Sequence, residues 1–238
     1  MFSLQKFSGF LKLVSCTLKS ETLHLPLFHQ HTIDEDTKLA VWKIEETENF
    51  FLSKVPLQAH ITHPHKRLQH LAGRYLLQYL FPDFPYQQIL IADTRKPFLP
   101  NEQYHFSISH CGNYAAAIVS STHRVGIDIE NPSIKVVKIQ HKFLSKNEIS
   151  NFKFTATDHR PPTNDYRLPT LLWCAKESMF KWWSLGNVDF SEHLPIQYFK
   201  LQSEGEINAA FIQDNLNIPL QLQYKFFTEN LCLCWIAA

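Results

Sequence analysis

The chain has 238 residues, 45% of them hydrophobic and 19% charged, with a formal net charge of +1. That is enough apolar sequence to bury a core, and the length suits one to two domains. A balance so near neutral argues against a general nucleic-acid binder, and no apolar stretch nears the roughly 20 residues that span a bilayer, so neither nucleic acid nor membrane is an expected partner. The five cysteines (Cys16, Cys111, Cys174, Cys232, Cys234) form no Cys-x-x-Cys and sit mostly in apolar runs. They read as reduced, buried thiols of a cytoplasmic protein. Leu13-Val14-Ser15-Cys16 mimics a lipoprotein processing site, but Lys12 interrupts the apolar segment that export requires, so no lipidation is expected.

In chain order, a strand over about 38–44 leads to a short helix through Phe50 and then to an amphipathic helix over about 65–79. Leu68, Leu71, Ala72, Tyr75, Leu76 and Tyr79 form the apolar stripe of that helix, and Arg67, His70, Arg74 and Gln78 the opposite one. Such a basic stripe can meet phosphate or simply face water. Strands follow near 88–91, 105–109 and 114–120, with Ser109 and His110 closing one of them just before a Cys111-Gly112-Asn113 turn.

A second round opens with a strand over 125–130. Ser145 with Glu148 three residues on is a capping-box start for a helix, and 155–164, with Pro161 and Pro162, reads as a polar loop. A longer helix over about 169–185 has Pro169 in its first turn and Gly186 as its stop. Strands at about 196–202, 207–212, 219–227 and 231–236 finish the chain. The two rounds meet near 122–124 and share an element order. They predict an α+β fold of two similar subdomains, 1–123 and 124–238, related by a pseudo-twofold axis, each a small, mostly antiparallel sheet packed with helices.

Two runs carry the chemistry. In Val125-Gly126-Ile127-Asp128-Ile129-Glu130 the apolar residues alternate with Gly126, Asp128 and Glu130, the period of a strand with two distinct faces. Asp128 and Glu130 then point the same way from Cα atoms about 7 Å apart, able to converge on one cation. In Trp173-Cys174-Ala175-Lys176-Glu177-Ser178-Met179-Phe180-Lys181, the step of four from Trp173 to Glu177 to Lys181 lines one helical face. Magnesium is a hard cation that takes carboxylate, water and phosphate oxygens, and phosphoryl transfer asks mainly for positioning and charge neutralisation. Taken singly, each run is equally an ordinary solvated strand face or a helix ion pair.

Taken together, the runs resemble the 4′-phosphopantetheinyl transferases, in particular the larger single-chain kind typified by the activator of surfactin synthetase. The Gly-x-Asp-x-Glu strand and the Trp-x-x-Lys-Glu-x-x-x-Lys helix of that family stand complete and in order. Arg95-Lys96-Pro97-Phe98 is similar to its Gly-Lys-Pro block, with Arg95 where glycine is usual. Phe106-Ser107-Ile108-Ser109-His110-Cys111 is similar to its Ser-His-Ser block, with Cys111 where the second serine is usual. The resemblance spans about 38–185.

The resemblance implies a monomer with the active site in the cleft between its subdomains. Mg²⁺ is the implied cofactor, coenzyme A the co-substrate and an apo carrier protein of acyl, polyketide or peptidyl type the partner. The implied reaction moves 4′-phosphopantetheine to a carrier serine and releases 3′,5′-ADP. Asp128, Glu130 and Glu177 are the implied metal ligands, and Glu177 the base, directly or through water. Lys181 would act on the departing phosphate with Lys176 assisting, and Trp173 would seat the helix on the Asp128 strand. Arg67, Arg74, Lys96, Ser109 and His110 are the implied coenzyme contacts. The alternative is a non-catalytic homologue that binds coenzyme A or a carrier protein. Its mark would be erosion of the acids or the lysine, and none is eroded. The histidines at 60, 63, 65 and 70 and at 24, 29 and 31 match no zinc-site spacing. The 19 Phe, 8 Tyr and 5 Trp read as core, with Trp182 and Trp183, just past the lysine-bearing face, read as helix packing or alternatively a partly exposed contact for a partner protein.

Overall fold

The computed structural model describes residues 27–57, 60–154, 165–228 and 230–238. Cys16 and the expected loop over 155–164 lie outside the described residues. The first sheet joins β1 (Leu27–Thr32), β2 (Thr37–Lys43), β6 (Tyr114–Ser120) and β5 (His105–Cys111) in the order β1-β2-β6-β5, antiparallel throughout. The second joins β7 (Val125–Glu130), β10 (Leu231–Ala237), β9 (Leu216–Phe227) and β8 (Glu204–Gln213) in the order β7-β10-β9-β8, again antiparallel. A two-stranded hairpin, β3 (Leu90–Ile91) with β4 (Pro97–Phe98), stands apart from both. The helices are α1 (Glu48–Leu52), α2 (Pro64–Leu80), α3 (Ile134–Ile139), α4 (Lys146–Asn151), α5 (Arg167–Trp183) and α6 (Phe190–His193).

Three cores order these elements into layers. Leu71, Ala72, Leu76 and Leu77 of α2 pack on Trp42, Phe106, Ala115, Ala117 and Val119 of the first sheet. Leu171, Ala175 and Met179 of α5 pack with Ile207, Phe211, Leu222, Cys232 and Cys234 of the second. Between the sheets, Leu39, Val41, Ala116 and Ile118 meet Val125, Ile127, Ile129, Leu231, Leu233 and Trp235. Alternation along a strand makes this possible, since successive side chains leave opposite faces. Val125, Ile127 and Ile129 serve the middle core, which leaves Gly126, Asp128 and Glu130 facing α5 rather than water.

Several elements differ from expectation for local reasons. The segment 196–202 makes only the isolated bridge Ile196↔Ala209, and the strand proper begins at Glu204. The long helix stops at Trp183, not Leu185, because Ser184 already takes the left-handed conformation (φ 73°) two residues before Gly186. The Ser145–Glu148 capping box forms, with Glu148 N donating to Ser145 Oγ (3.2 Å) and Ser145 N to Glu148 Oε2 (2.8 Å). No described helix is long and apolar enough to cross a membrane.

One close approach fixes the helix on the strand. A Cβ added at Gly126 would stand 2.0 Å from the Ser178 carbonyl oxygen and 2.9 Å from Trp182 N, both backbone atoms that cannot swing aside. Gly126→Ala is therefore expected to lower the unfolding free energy by about 1–3 kcal/mol in urea titrations, the range of an overpacked core. Unchanged stability would mean that α5 can lift from β7 at little cost.

Candidate active site

Because Gly126 lets α5 lie close, Asp128 sits under the helix and is only 4% exposed. A carboxylate removed from water needs donors, and it has them. Oδ1 accepts Ser109 Oγ (2.6 Å) from β5 and Lys181 Nζ (2.6 Å) from α5, while Oδ2 accepts the Cys174 thiol (3.2 Å). Lys181 Nζ also donates to Ile127 O (3.1 Å). Burial disfavours the Lys181 charge, but Asp128 and Glu177 outweigh it and raise the pKa above the ordinary lysine value.

Glu177 lies one helical turn before Lys181 on the same face. Burial first, then the charges of Asp128 and Glu130, push its carboxyl up to about 7, with Lys181 opposing. Burial and Asp128 raise Glu130 as well, against hydrogen bonding from Cys111 and Trp173 and the charge of Lys181. Three acids thus share one ammonium and are short of positive charge. Hard oxygen donors with such a deficit suit magnesium in kind. Among the described residues, however, no group of three or more His, Cys, Asp or Glu side chains stands assembled to hold a metal ion.

On the first sheet's side, α2 is docked by Gln69 Nε2 on Gly112 O (2.8 Å) and by His65 Nε2 with Asn113 Oδ1 (3.0 Å). Arg74 is 5% exposed, yet its Nη1 has no hydrogen-bond partner among the described residues, nor has His70 Nε2. Burial, then Arg74 and His110, push His70 down to about 4. Buried polar atoms are rarely left unpaired, so this corner wants an acceptor or an anion. Across the seam, a cavity of about 220 Å³ is lined by Arg95, Lys96, Ser107, Phe180, Lys181 and Ser184 among others.

Asp128, Glu130, Glu177, Lys181 and Ser109 are thus brought together, with His110 and Arg74 beyond them. Arg67 is not. Its fork is committed to Glu48 (2.7 Å from Nε and 2.7 Å from Nη2) and to Ile61 O (3.1 Å), tying α2 to α1. Lys176 is not either, because it leaves α5 on the opposite face. It is 0% exposed, donating to Glu148 Oε2 (2.9 Å) and Phe190 O (2.8 Å). Lys96 donates to Lys181 O and to Ser184 Oγ, and burial with the Arg124 and Lys181 cations pushes it down to about 8. Trp173 packs on Phe143 (5.1 Å) and Phe190 (5.8 Å), toward α6.

Sequence reasoning missed Cys174 as a donor, although it stands one turn before Glu177. It also missed the link between β5 and β7, where Ile127 N, Ile129 N and Asn131 N donate to Ser107 Oγ (3.2 Å), Ser109 Oγ (3.4 Å) and Cys111 Sγ (3.3 Å). The alternation of small polar side chains at 107, 109 and 111 was its only signal.

A two-sheet α+β frame with acids and a lysine gathered on one strand and one helix defines the class. Residues 124–235, which hold both elements, match the family model of the 4'-phosphopantetheinyl transferase superfamily. The chain is similar to enterobactin synthase component D of Escherichia coli (strain K12), 34% identical over 49% of this chain and 54% of the relative. It is similar to the 4'-phosphopantetheinyl transferase ffp of Bacillus subtilis, 38% identical over 36% and 34%. A third relative, the 4'-phosphopantetheinyl transferase gsp of Aneurinibacillus migulanus, is 28% identical over 69% and 64%. The chain thus spans about half the length of the first of these relatives.

The fate of Lys176 gives a stability prediction. Removing one member of a buried ion pair strands the other charge, at about 3–5 kcal/mol. Lys176→Met should lower the unfolding free energy by about that amount in urea titrations. A variant as stable as wild type would show that the Lys176–Glu148 pair does not brace α5.

Proposed function

We propose that this chain transfers 4′-phosphopantetheine from coenzyme A to a serine of an apo carrier protein and releases 3′,5′-ADP. The observation that carries the reading is the grouping of Asp128, Glu130, Glu177 and Lys181 on β7 and α5, with a proton-accepting carboxyl held near neutrality beside an enforced ammonium. The segments 1–123 and 124–238 are read as two subdomains related by a pseudo-twofold axis. One chain then supplies both walls of the cleft, and the working unit is a cytoplasmic monomer.

In this reading the serine oxygen attacks the phosphorus next to the pantetheine arm. A new O–P bond forms, the pyrophosphate P–O bond breaks, and its electron pair leaves with 3′,5′-ADP. Glu177 takes the serine proton. Lys181 neutralises charge on the departing phosphate. Magnesium, held by Asp128, Glu130 and Glu177, would supply charge neutralisation at the pyrophosphate. Arg74 would offer a planar fork to the coenzyme's phosphates, with His110 and Ser109 as further contacts, a reading supported by an Arg74 Nη1 that has no partner among the described residues. Arg67 and Lys176 are left out of this set because Glu48 and Glu148 hold them away from Asp128 and Lys181, and Lys96 because it is held at the end of α5.

Intact-protein mass spectrometry of an apo acyl carrier protein incubated with this protein, coenzyme A and magnesium should show a gain of one phosphopantetheine that a chelator abolishes. Glu177→Gln should cut the rate by at least about 100-fold, the scale of a lost general base, with coenzyme A affinity preserved. No gain across several carrier types, despite coenzyme binding, would establish the non-catalytic reading.

Glu177 must also lose its proton before it can ligate a cation. Its pKa in the metal-free protein is raised to about 7, so the neutral form dominates below that pH. Magnesium affinity, followed by calorimetry, should weaken about tenfold from pH 8 to pH 6 as the proton competes, and Glu177→Gln should flatten the profile. An unchanged affinity over that range would remove Glu177 from the ligand set.

A further inference from the structure

The hairpin of β3 and β4 belongs to the first half of the chain, yet its turn ends on the catalytic helix of the second. The turn is tight, with Arg95 N donating to Ala92 O (2.8 Å), Ala92 N to Lys96 O (2.9 Å) and Arg95 itself left-handed at φ 64°. It aims Lys96 at the end of α5, where Nζ donates to Lys181 O and Ser184 Oγ. Thr94 Oγ1 adds a contact to Ser184 O (3.5 Å), and a Cβ on Gly186 would come within 3.1 Å of the Thr94 methyl. The last carbonyls of a helix have no partner within the helix and carry its negative pole, so an ammonium there is a cap.

The carbonyl being capped belongs to Lys181, whose side chain reaches back to Asp128 Oδ1 (2.6 Å). From these contacts we propose that Lys96 is a positioning residue. It caps α5 from across the seam and fixes the backbone from which Lys181 acts, rather than gripping a coenzyme phosphate. Turning its ammonium toward a phosphate would take that donor from the Lys181 carbonyl and the Ser184 hydroxyl together and leave the carbonyl with Ser184 Oγ alone (2.9 Å) as a side-chain donor. The hairpin becomes a strut between the halves, and the seat of Lys181 depends on both.

The inference rests on the proposed transferase reading for its kinetic arm only. Lys96→Met should lower kcat about tenfold with the KM for coenzyme A within twofold of wild type, and Lys96→Arg should recover most of the loss. In a Lys181→Met background, Lys96→Met should cost less than twofold further, since a residue acting through Lys181 has nothing left to position. Hydrogen exchange of the unliganded protein should quicken at the amides of residues 181–185. A tenfold weaker coenzyme A dissociation constant by calorimetry, with kcat and exchange unchanged, would overturn the proposal in favour of a phosphate contact. Failure of the wild type to modify any carrier would sink the transferase reading alone. The exchange and calorimetry arms would still decide the role of Lys96, and Ser184→Ala repeats them, with faster exchange and intact affinity expected, should Lys96→Met fail to fold.

Discussion

A carboxylate with almost no solvent, Asp128, sets the geometry on which the rest depends. Taking an ion out of water is costly unless its lone pairs find donors of good geometry. Here the donors come from two directions: Ser109 on β5 of the first sheet, and Lys181 and Cys174 on α5 over the second. Satisfying that one group therefore fixes β5, β7 and α5 against each other. Gly126 makes the arrangement possible from below, since a side chain there would lift α5 away from β7.

The seam between the sheets obeys a second constraint. β7 is an edge strand of its sheet, with backbone N–H groups that must be paired where they are buried. They are met by the side chains of Ser107, Ser109 and Cys111, not by the backbone of β5. The two sheets thus adjoin without fusing into one. The Cys111 thiol continues the row begun by Ser107 and Ser109 and accepts from Asn131 N. Burial and the nearby Glu130 push that thiol up to about 12, so it remains neutral at ordinary pH.

How much of this could be read in the sequence depended on whether a residue's role was local. The alternation over 125–130, the amphipathic α2 and the Ser145–Glu148 cap are written within a few residues, and each was legible. β1 was not. Leu-Phe-His-Gln-His-Thr has no clean period, because only some of its side chains find partners across the sheets, Phe28 on Tyr114 and Phe227 and His31 on Trp235. Arg95 takes a left-handed conformation (φ 64°), a strain visible only once φ is known. Arg67 looked free on a basic stripe because its partner, Glu48, lies on another helix.

The two lysines of the α5 motif show why residue type alone could not assign the site. Lys176 and Lys181 are five residues apart, about 140° around a helix of 3.6 residues per turn, so one face cannot hold both. Glu177 and Lys181, four apart, share a face and turn to the seam. Lys176 turns into the core of the second sheet, where Glu148 receives it while also holding Ser145 N (2.8 Å) and Ile196 N (2.9 Å). That pair joins the start of α4, the middle of α5 and the chain after α6. The motif's three charges therefore divide by angle into Lys176, which with Glu148 of α4 braces the helix from behind, and Glu177 with Lys181, which the helix presents to the seam. The precision of the second depends on the first, because Lys181 can reach Asp128 only from a helix that does not roll.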